Sequence, residues 1–343
     1  LNGIESINLK LKKSELPAVD RKYWLAAWWA GAVIMWNGVP VVAGPITTHP
    51  YEDTTSIHLN CGGIRSILSA RVLIPEMQDW AKLNEQVIPY DGLSLGTIAK
   101  RVVARAQQKA GGQLPITYAV PDETVINDAD HQRTYHSFNV QNLFVDDILT
   151  KLSNVSNGPD IMFKPRLLSD NVLTHEMWNG TENQPRIYQR YTQVWDTTAE
   201  RGQVTDMQAV YTGSYQASRV ISTGAGIDQG TLMAVNTNEV PLQKQFPLLE
   251  RTISSDSETP AVVDNYGKGH LYANEDALLE IQMTVRGDAE IPFGSFWPGD
   301  LAHVITKGWI CLEDGNNPMR ILNMTGDHTG NVRMSLQKET RFN

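Results

Sequence analysis

GAVIMWNGVPVVAG, residues 31–44, consists of two apolar, β-rich segments hinged on Asn37-Gly38. A two-residue hairpin turn needs positive φ at both central positions, and Asn-Gly meets that demand at the least steric cost. Working outward, Thr54–Asn60 (TTSIHLN) alternates in polarity and predicts a third strand. Gly62-Gly63 then lets the chain turn into Ile64–Ile74. Residues 1–80 therefore predict a small, mostly antiparallel unit.

The pattern changes beyond residue 80. Leu93–Lys109 (LSLGTIAKRVVARAQQK) places Leu95, Ile98, Val102 and Ala106 on one face and stops at Gly111-Gly112, which predicts a helix with a glycine terminus. Asn139–Leu152 repeats the pattern with Leu143, Ile148 and Leu152, and Ile161-Met162-Phe163 follows as a strand. Residues 81–165 thus predict an α/β insertion. Polar β-like segments return at Arg186–Val194, Gln208–Tyr215 and Ser218–Ser222, and residues 251–265 look like an exposed connection. A third helix is expected at Asn274–Glu280. A last block follows, with strands at Glu280–Arg286, Ala302–Cys311, Met319–Thr325 and Asn331–Leu336. Strands so spaced, with turn signals at Pro298-Gly299-Asp300, Asp314-Gly315 and Gly326 and no helix between them, predict a small barrel or sandwich.

The expected fold is a multidomain α+β protein. Two small, mostly antiparallel β-barrel-like domains, 1–80 completed by 166–250 and then 251–343, flank the α/β insertion at 81–165. A chain of 343 residues exceeds what one core supports.

Composition excludes several roles. The net charge of -9, from 29 basic and 38 acidic residues, disfavours gripping nucleic acid or anionic lipid; the only cluster of positive charge is Lys10, Lys12 and Lys13. No run approaches the roughly 20 apolar residues of a membrane helix, so no membrane anchor is expected. Cys61 and Cys311 are too isolated for a disulfide framework or a zinc motif, and two buried free thiols are expected.

Catalytic chemistry finds no foothold. The eight histidines lack the i,i+2 or i,i+4 spacing of zinc ligands, so no metal is expected. Gly224, Gly226 and Gly230 miss the GxGxxG spacing and precede no helix-like segment, which leaves a loop and no cofactor. Asp146-Asp147 diverge by about 100° on a helix and read as a solvated face. Asp128 and Asp130 could reach one ligand, but they read as an acidic loop. Asp264, Glu275, Asp276 and Glu280 surround the third helix, where early acids favour its positive end. No nucleophile or P-loop motif occurs.

Aromatic residues carry more information. Trp24, Trp28, Trp29 and Trp36 crowd a unit too small to bury four indoles, and Trp297 sits on the Pro298-Gly299-Asp300 turn. Aromatic side chains supply large contact area at low entropic cost, so these five are candidate interface anchors. A core shared with the rest of the chain would use them equally well. Exposed tryptophans also fit glycan binding or cleavage, which would need an open cleft and, for cleavage, two carboxylates about 5–9 Å apart.

Three passages resemble the baseplate hub family of tailed bacteriophages, the minor tail proteins of long tails, especially those of actinobacterial phages. The first runs from Val39–Gly44 through Thr55–Gly62 to Ile67–Leu73 and is similar to the family's opening hairpin, strand and short helix. The second, Phe138–Leu143 through Leu149 to Pro159-Asp160-Ile161, resembles its central helix and following strand. The third comprises Asp276 through Val285–Asp288, Pro298-Gly299-Asp300 and Arg333–Leu336 and resembles its C-terminal barrel. The resemblance implies a non-enzymatic homotrimer at the tail tip of the virion, whose barrel domains form a six-fold-like ring. That ring would join the distal tail protein and tail tube to spike or receptor-binding proteins. Its channel would pass the tape-measure protein and then DNA, without specific binding.

Overall fold

The computed structural model describes residues 1–17, 20–126, 128, 131–169, 172–187 and 193–338. Two compact units divide the chain: an N-terminal one, residues 2–153 and 159–185, and a C-terminal one, residues 154–158 and 186–343 with Leu1.

The N-terminal unit contains β1 (Ser6–Lys12), α1 (Arg21–Trp24), β2 (Gly31–Trp36), β3 (Val39–Glu52), β4 (Ser56–Gly62) and α2 (Arg65–Leu68). It continues with β5 (Val87–Asp91), α3 (Leu95–Ala106), β6 (Ile116–Tyr118), β7 (Gln132–His136), α4 (Val145–Ser153), β8 (Ile161–Ser169) and β9 (Val172–Asn179). The Asn37-Gly38 hairpin forms as read, with φ of 47° and 80°. It belongs to a four-stranded antiparallel sheet in the order β1-β4-β3-β2. β3 is long because it serves two ladders: its first half pairs with β2 and its second half with β4, with register shifts near Thr48. The crossing is tight at Gly44, where a Cβ would lie 1.8 Å from the Gly62 carbonyl oxygen, so no larger residue fits there. Ile7, Ile46, Ile57, Leu59 and Cys61 form the core of this sheet.

Both predicted helices of this unit are present. Ser94 caps α3 by accepting from the Thr97 N–H, and Leu95, Ile98, Val102 and Ala106 are buried. Residues 137–142 form a 3-10 turn before α4, which buries Val145, Ile148, Leu149 and Leu152. Asp146 is not merely solvated, since it holds the buried Arg65 guanidinium at 2.5 Å. Asp147 is exposed.

The C-terminal unit contains β10 (Gln193–Asp196), β11 (Val204–Thr212), β12 (Arg219–Thr223), β13 (Met233–Thr237), α5 (Glu239–Gln243), β14 (Glu250–Ser254) and α6 (Pro260–Asn274). It ends with β15 (Leu278–Arg286), β16 (Leu301–Thr306), β17 (Gly315–Gly326) and β18 (Asn331–Lys338). The four predicted C-terminal strands build a six-stranded sheet, β10-β16-β17-β18-β15-β11. Alternate residues of its strands point to one side: Ile281, Met283 and Val285; Ala302 and Val304; Met319 and Ile321; Val332, Met334 and Leu336. Trp195 and Phe296 fill the middle, with ring centroids 5.3 Å apart. A one-sided apolar face with no helix against it is covered when the sheet curls over its own core. The outcome is a half-barrel, since no ladder among the described residues joins β10 to β11.

Three expectations need correction. The N-terminal sheet is open, not a barrel, and 204–212 pairs with the C-terminal sheet instead of completing it. The expected connection at 251–265 and helix at 274–280 are displaced: 250–254 is a strand, the helix occupies 260–274, and 278–286 is a strand. Pro260 starts that helix with a preset φ, but only Val263 and Gly267 are buried along it, so no apolar stripe announces it. Cys311 is exposed, because β16 ends at Thr306 and leaves the thiol on a loop.

Gly267 makes α6 fit its sheet. A Cβ there would lie 2.6 Å from Asn236 Nδ2 and 2.7 Å from Ser222 Oγ, the hydroxyl that donates to the Val263 carbonyl at 2.9 Å. Gly→Ala in an unconstrained helix gains about 1 kcal/mol. Overpacking typically costs about 1–3 kcal/mol, so Gly267→Ala is expected to lower the melting temperature in thermal unfolding. An unchanged or raised temperature would contradict this packing.

Candidate functional site

Between Lys22 and Glu52 the chain carries no Asp, Glu, Lys or Arg. This charge-free run holds four exposed aromatic side chains: Tyr23 is 50% exposed, Trp24 62%, Trp28 56% and Trp29 69%. Interface cores are depleted of charge and enriched in aromatics, and a soluble surface is the reverse.

The loop that displays these rings is fastened down. Asp20 caps the short α1 through the Tyr23 N–H. Trp28, at a φ of 63°, donates its N–H to the Ile46 carbonyl, and Ile46 donates to Ala30. His49 Nε2 lies 2.6 Å from the Leu25 carbonyl oxygen. Leu25 and Ala30 pack on the sheet core while the neighbouring indoles point out. Tyr23 leans on Trp29 at 5.5 Å and meets Trp24 edge-on at 6.2 Å. The cluster is therefore ordered before anything binds it, which lowers the entropic cost of docking.

β2 follows directly and is an edge strand. Its Val33 and Met35 are exposed, and Val39 opposite is exposed as well. Bare apolar edges pair readily with further strands, and proteins usually blunt them with lysine or proline. The opposite edge, β1, carries Lys10 and Lys12; β2 carries no charge or proline. Trp36 is half-buried at the end of β2. Trp297 is half-buried too, and its N–H donates to Asp300 Oδ2 at 2.7 Å in the Pro298-Gly299-Asp300 turn. Gly299 in that turn bonds to Ile321 of β17. The structure thus gathers Trp24, Trp28 and Trp29 into one patch and leads from it into β2, which ends at Trp36, while Trp297 sits in the other unit.

The titratable candidates do not converge. Among the described residues no group of three or more His, Cys, Asp or Glu could hold a metal ion. Asp128 accepts from His131, whose other ring nitrogen faces Glu182 at 3.1 Å, while Asp130 lies outside the described residues. Burial alone would lower the His131 pKa, but hydrogen bonds to Glu182 and Asp128 outweigh it and raise the value. His175 shifts the other way, because burial outweighs its backbone hydrogen bonds. Asp264 pairs with Lys268 along α6. Burial and the nearby Asp276 raise the Glu275 pKa. The Gly224–Gly230 segment is a loop between β12 and β13, with no helix after it. Among the described residues no helix is long and apolar enough to cross a membrane.

No protein-family model matches the chain, and no curated protein matches it. Its fold is shared with solved structures over nearly its whole length. It is similar to the 43 kDa tail protein of prophage MuSo2 from Shewanella oneidensis (TM-score 0.56, 12% identity, 98% of this chain and 89% of the other). It also resembles the tail protein from Neisseria meningitidis MC58 (0.54, 14%, 98% and 88%) and the prophage tail protein gp18 from Listeria monocytogenes EGD-e (0.50, 9%, 99% and 86%).

Two outcomes follow for the isolated chain. Trp24→Ser and Trp29→Ser should each change unfolding stability by no more than about 0.5 kcal/mol, whereas Leu25→Ala should cost about 2 kcal/mol or more in denaturant titration. Equal losses would mean that the indoles are core residues. In an NMR titration His131 should deprotonate above, and His175 below, the ordinary value of about 6.5. The His131 contribution is then complete below that value and fades as pH rises through its folded pKa. The His175 contribution is complete above it and is lost as pH falls toward its folded pKa.

Proposed function

We propose that this chain is a structural, non-enzymatic component of a bacteriophage tail, at the baseplate or tail tip. The observation that carries the reading is the end-to-end correspondence of its fold with three tail proteins, which spans 98–99% of this chain and most of each of theirs. In its finer form the chain is a hub of the kind found in actinobacterial phages. Three copies form a ring whose two β-rich units per chain give it six-fold-like character, one unit being the curled six-stranded sheet and the other the open four-stranded sheet. The ring sits between the distal tail protein and tail tube on one side and spike or receptor-binding proteins on the other. Its channel passes the tape-measure protein and then DNA.

Physical features support the reading. Trp24, Trp28 and Trp29 are interface anchors, and the bare β2 edge beside them lets a neighbouring strand extend the sheet, as repeated subunits do in rings. Trp36 and Trp297 serve as secondary contacts. The net charge of -9 suits a passage that lets a polyanion slide through.

Light scattering combined with electron microscopy of purified chain tests this. The expected result is a closed three-membered particle at high concentration, dispersed to monomers by Val33→Lys combined with Met35→Lys while circular dichroism is unchanged. A monomer at every concentration that also fails to join tails assembled in vitro would overturn the proposal.

A further inference from the structure

The half-barrel has an open seam, and a groove of about 490 Å³ lies at its mouth. Thr197 and Thr198 follow β10, Thr205 and Asp206 open β11, and Lys307 and Trp309 follow β16. β10 and β11 are the two edges of the sheet, and the groove lies where the chain passes from one to the other beside the end of β16. Val204 and Met207, packed on the core beneath, give it an apolar floor. An apolar floor with a few convergent polar groups is what holds a small ligand, and here both lie on an open surface groove.

The polar groups specify what fits. The Thr197 hydroxyl donates to the Ile305 carbonyl at 2.8 Å, Thr198 to Asp196 Oδ1 at 2.7 Å, and Thr205 to the Thr284 carbonyl at 3.2 Å. Each threonine proton is thus already committed, and each oxygen remains an acceptor. Asp206 adds a carboxylate acceptor and Lys307 an ammonium donor, and neither has an ion-pair partner among the described residues. With the Asp196 carboxylate held against Thr198, two acids face one lysine here, which disfavours an anion such as a phosphate. Trp309 is half-buried against the core and lends the remaining indole surface to the wall.

We propose that this groove binds a neutral saccharide. Pyranose hydroxyls donate to the row of Thr oxygens and Asp206, a ring or hydroxyl oxygen accepts from Lys307, and the C–H face of the sugar lies on Trp309. Asp206 is the one carboxylate in the lining, and Asp196 beside it is engaged by the Thr198 N–H and hydroxyl, so the proposal is binding and not cleavage. The site does not depend on the ring assembly above: either can fail while the other stands.

Saturation-transfer NMR with the full chain and maltotriose, chitotriose or mannotriose tests the proposal. Transfer to at least one trisaccharide is expected, with binding weakened about tenfold or more by Asp206→Asn, by Lys307→Met and by Trp309→Ala. The first two alter exposed side chains and keep the test valid if Trp309→Ala misfolds. Trp29→Ser should leave transfer unchanged, and no shorter sugar should accumulate. Absence of transfer to all three sugars would overturn the proposal. So would binding that survives Asp206→Asn and Lys307→Met but is lost in Trp29→Ser, and so would release of cleaved product.

Discussion

An apolar sheet face or a bare strand edge has to be covered, and the two units meet that demand differently. In the C-terminal unit the alternate residues of β15 to β18, with Trp195 from β10, all face one way. Among the described residues none of this core lies on a helix, and the sheet curls until it encloses Trp195 and Phe296. At about 25 cal/mol per Å² of apolar surface, a face of this size dominates the local energetics and leaves the polar side of the sheet to water. Everything else in the unit is arranged around that curl, including the turn at Pro298-Gly299-Asp300 that bonds to β17 and the seam left between β10 and β11.

In the N-terminal unit the same demand is only partly met from within. Ile7, Ile46, Ile57 and Leu59 are buried by the sheet, with Leu25 and Ala30 packed beside them. The indoles on the same loop, and Val33 and Met35 on β2, stay in water. Exposing a scattered aromatic is ordinary, but a fastened cluster beside an unguarded edge is a surface waiting for a partner. The lysines on β1 make the contrast physical: one edge of the same sheet is protected and the other is not.

Much of this was legible in the residues. Asn37-Gly38 located its hairpin because two positive φ values suit that pair. The Leu95–Ala106 stripe located α3 because burial there follows a 3.6-residue period. The C-terminal strands were legible because apolar residues alternate along β15, β16 and β18, although β17 breaks the pattern at Met319–Ile321. What escaped was set by tertiary contact. α6 buries only Val263 and Gly267, too little for an apolar stripe, and β11 reads as a free strand until it pairs with β15. The crowding of Trp24, Trp28 and Trp29 was visible, and the absence of charge from Tyr23 to Tyr51 was the signal that could have extended the patch to β2. The groove could not be read, since Asp206 and Lys307 are about a hundred positions apart and come to line one groove only in the folded sheet.

The central claim is that the β2 edge and the aromatic loop are covered in the assembled state. Hydrogen–deuterium exchange of the amides of residues 24–36, compared between the isolated chain and intact tails, tests it most directly. Strong slowing of exchange across β2 on assembly, with little change in β17, is the predicted result. Equal exchange of β2 in the free and assembled states would contradict the account.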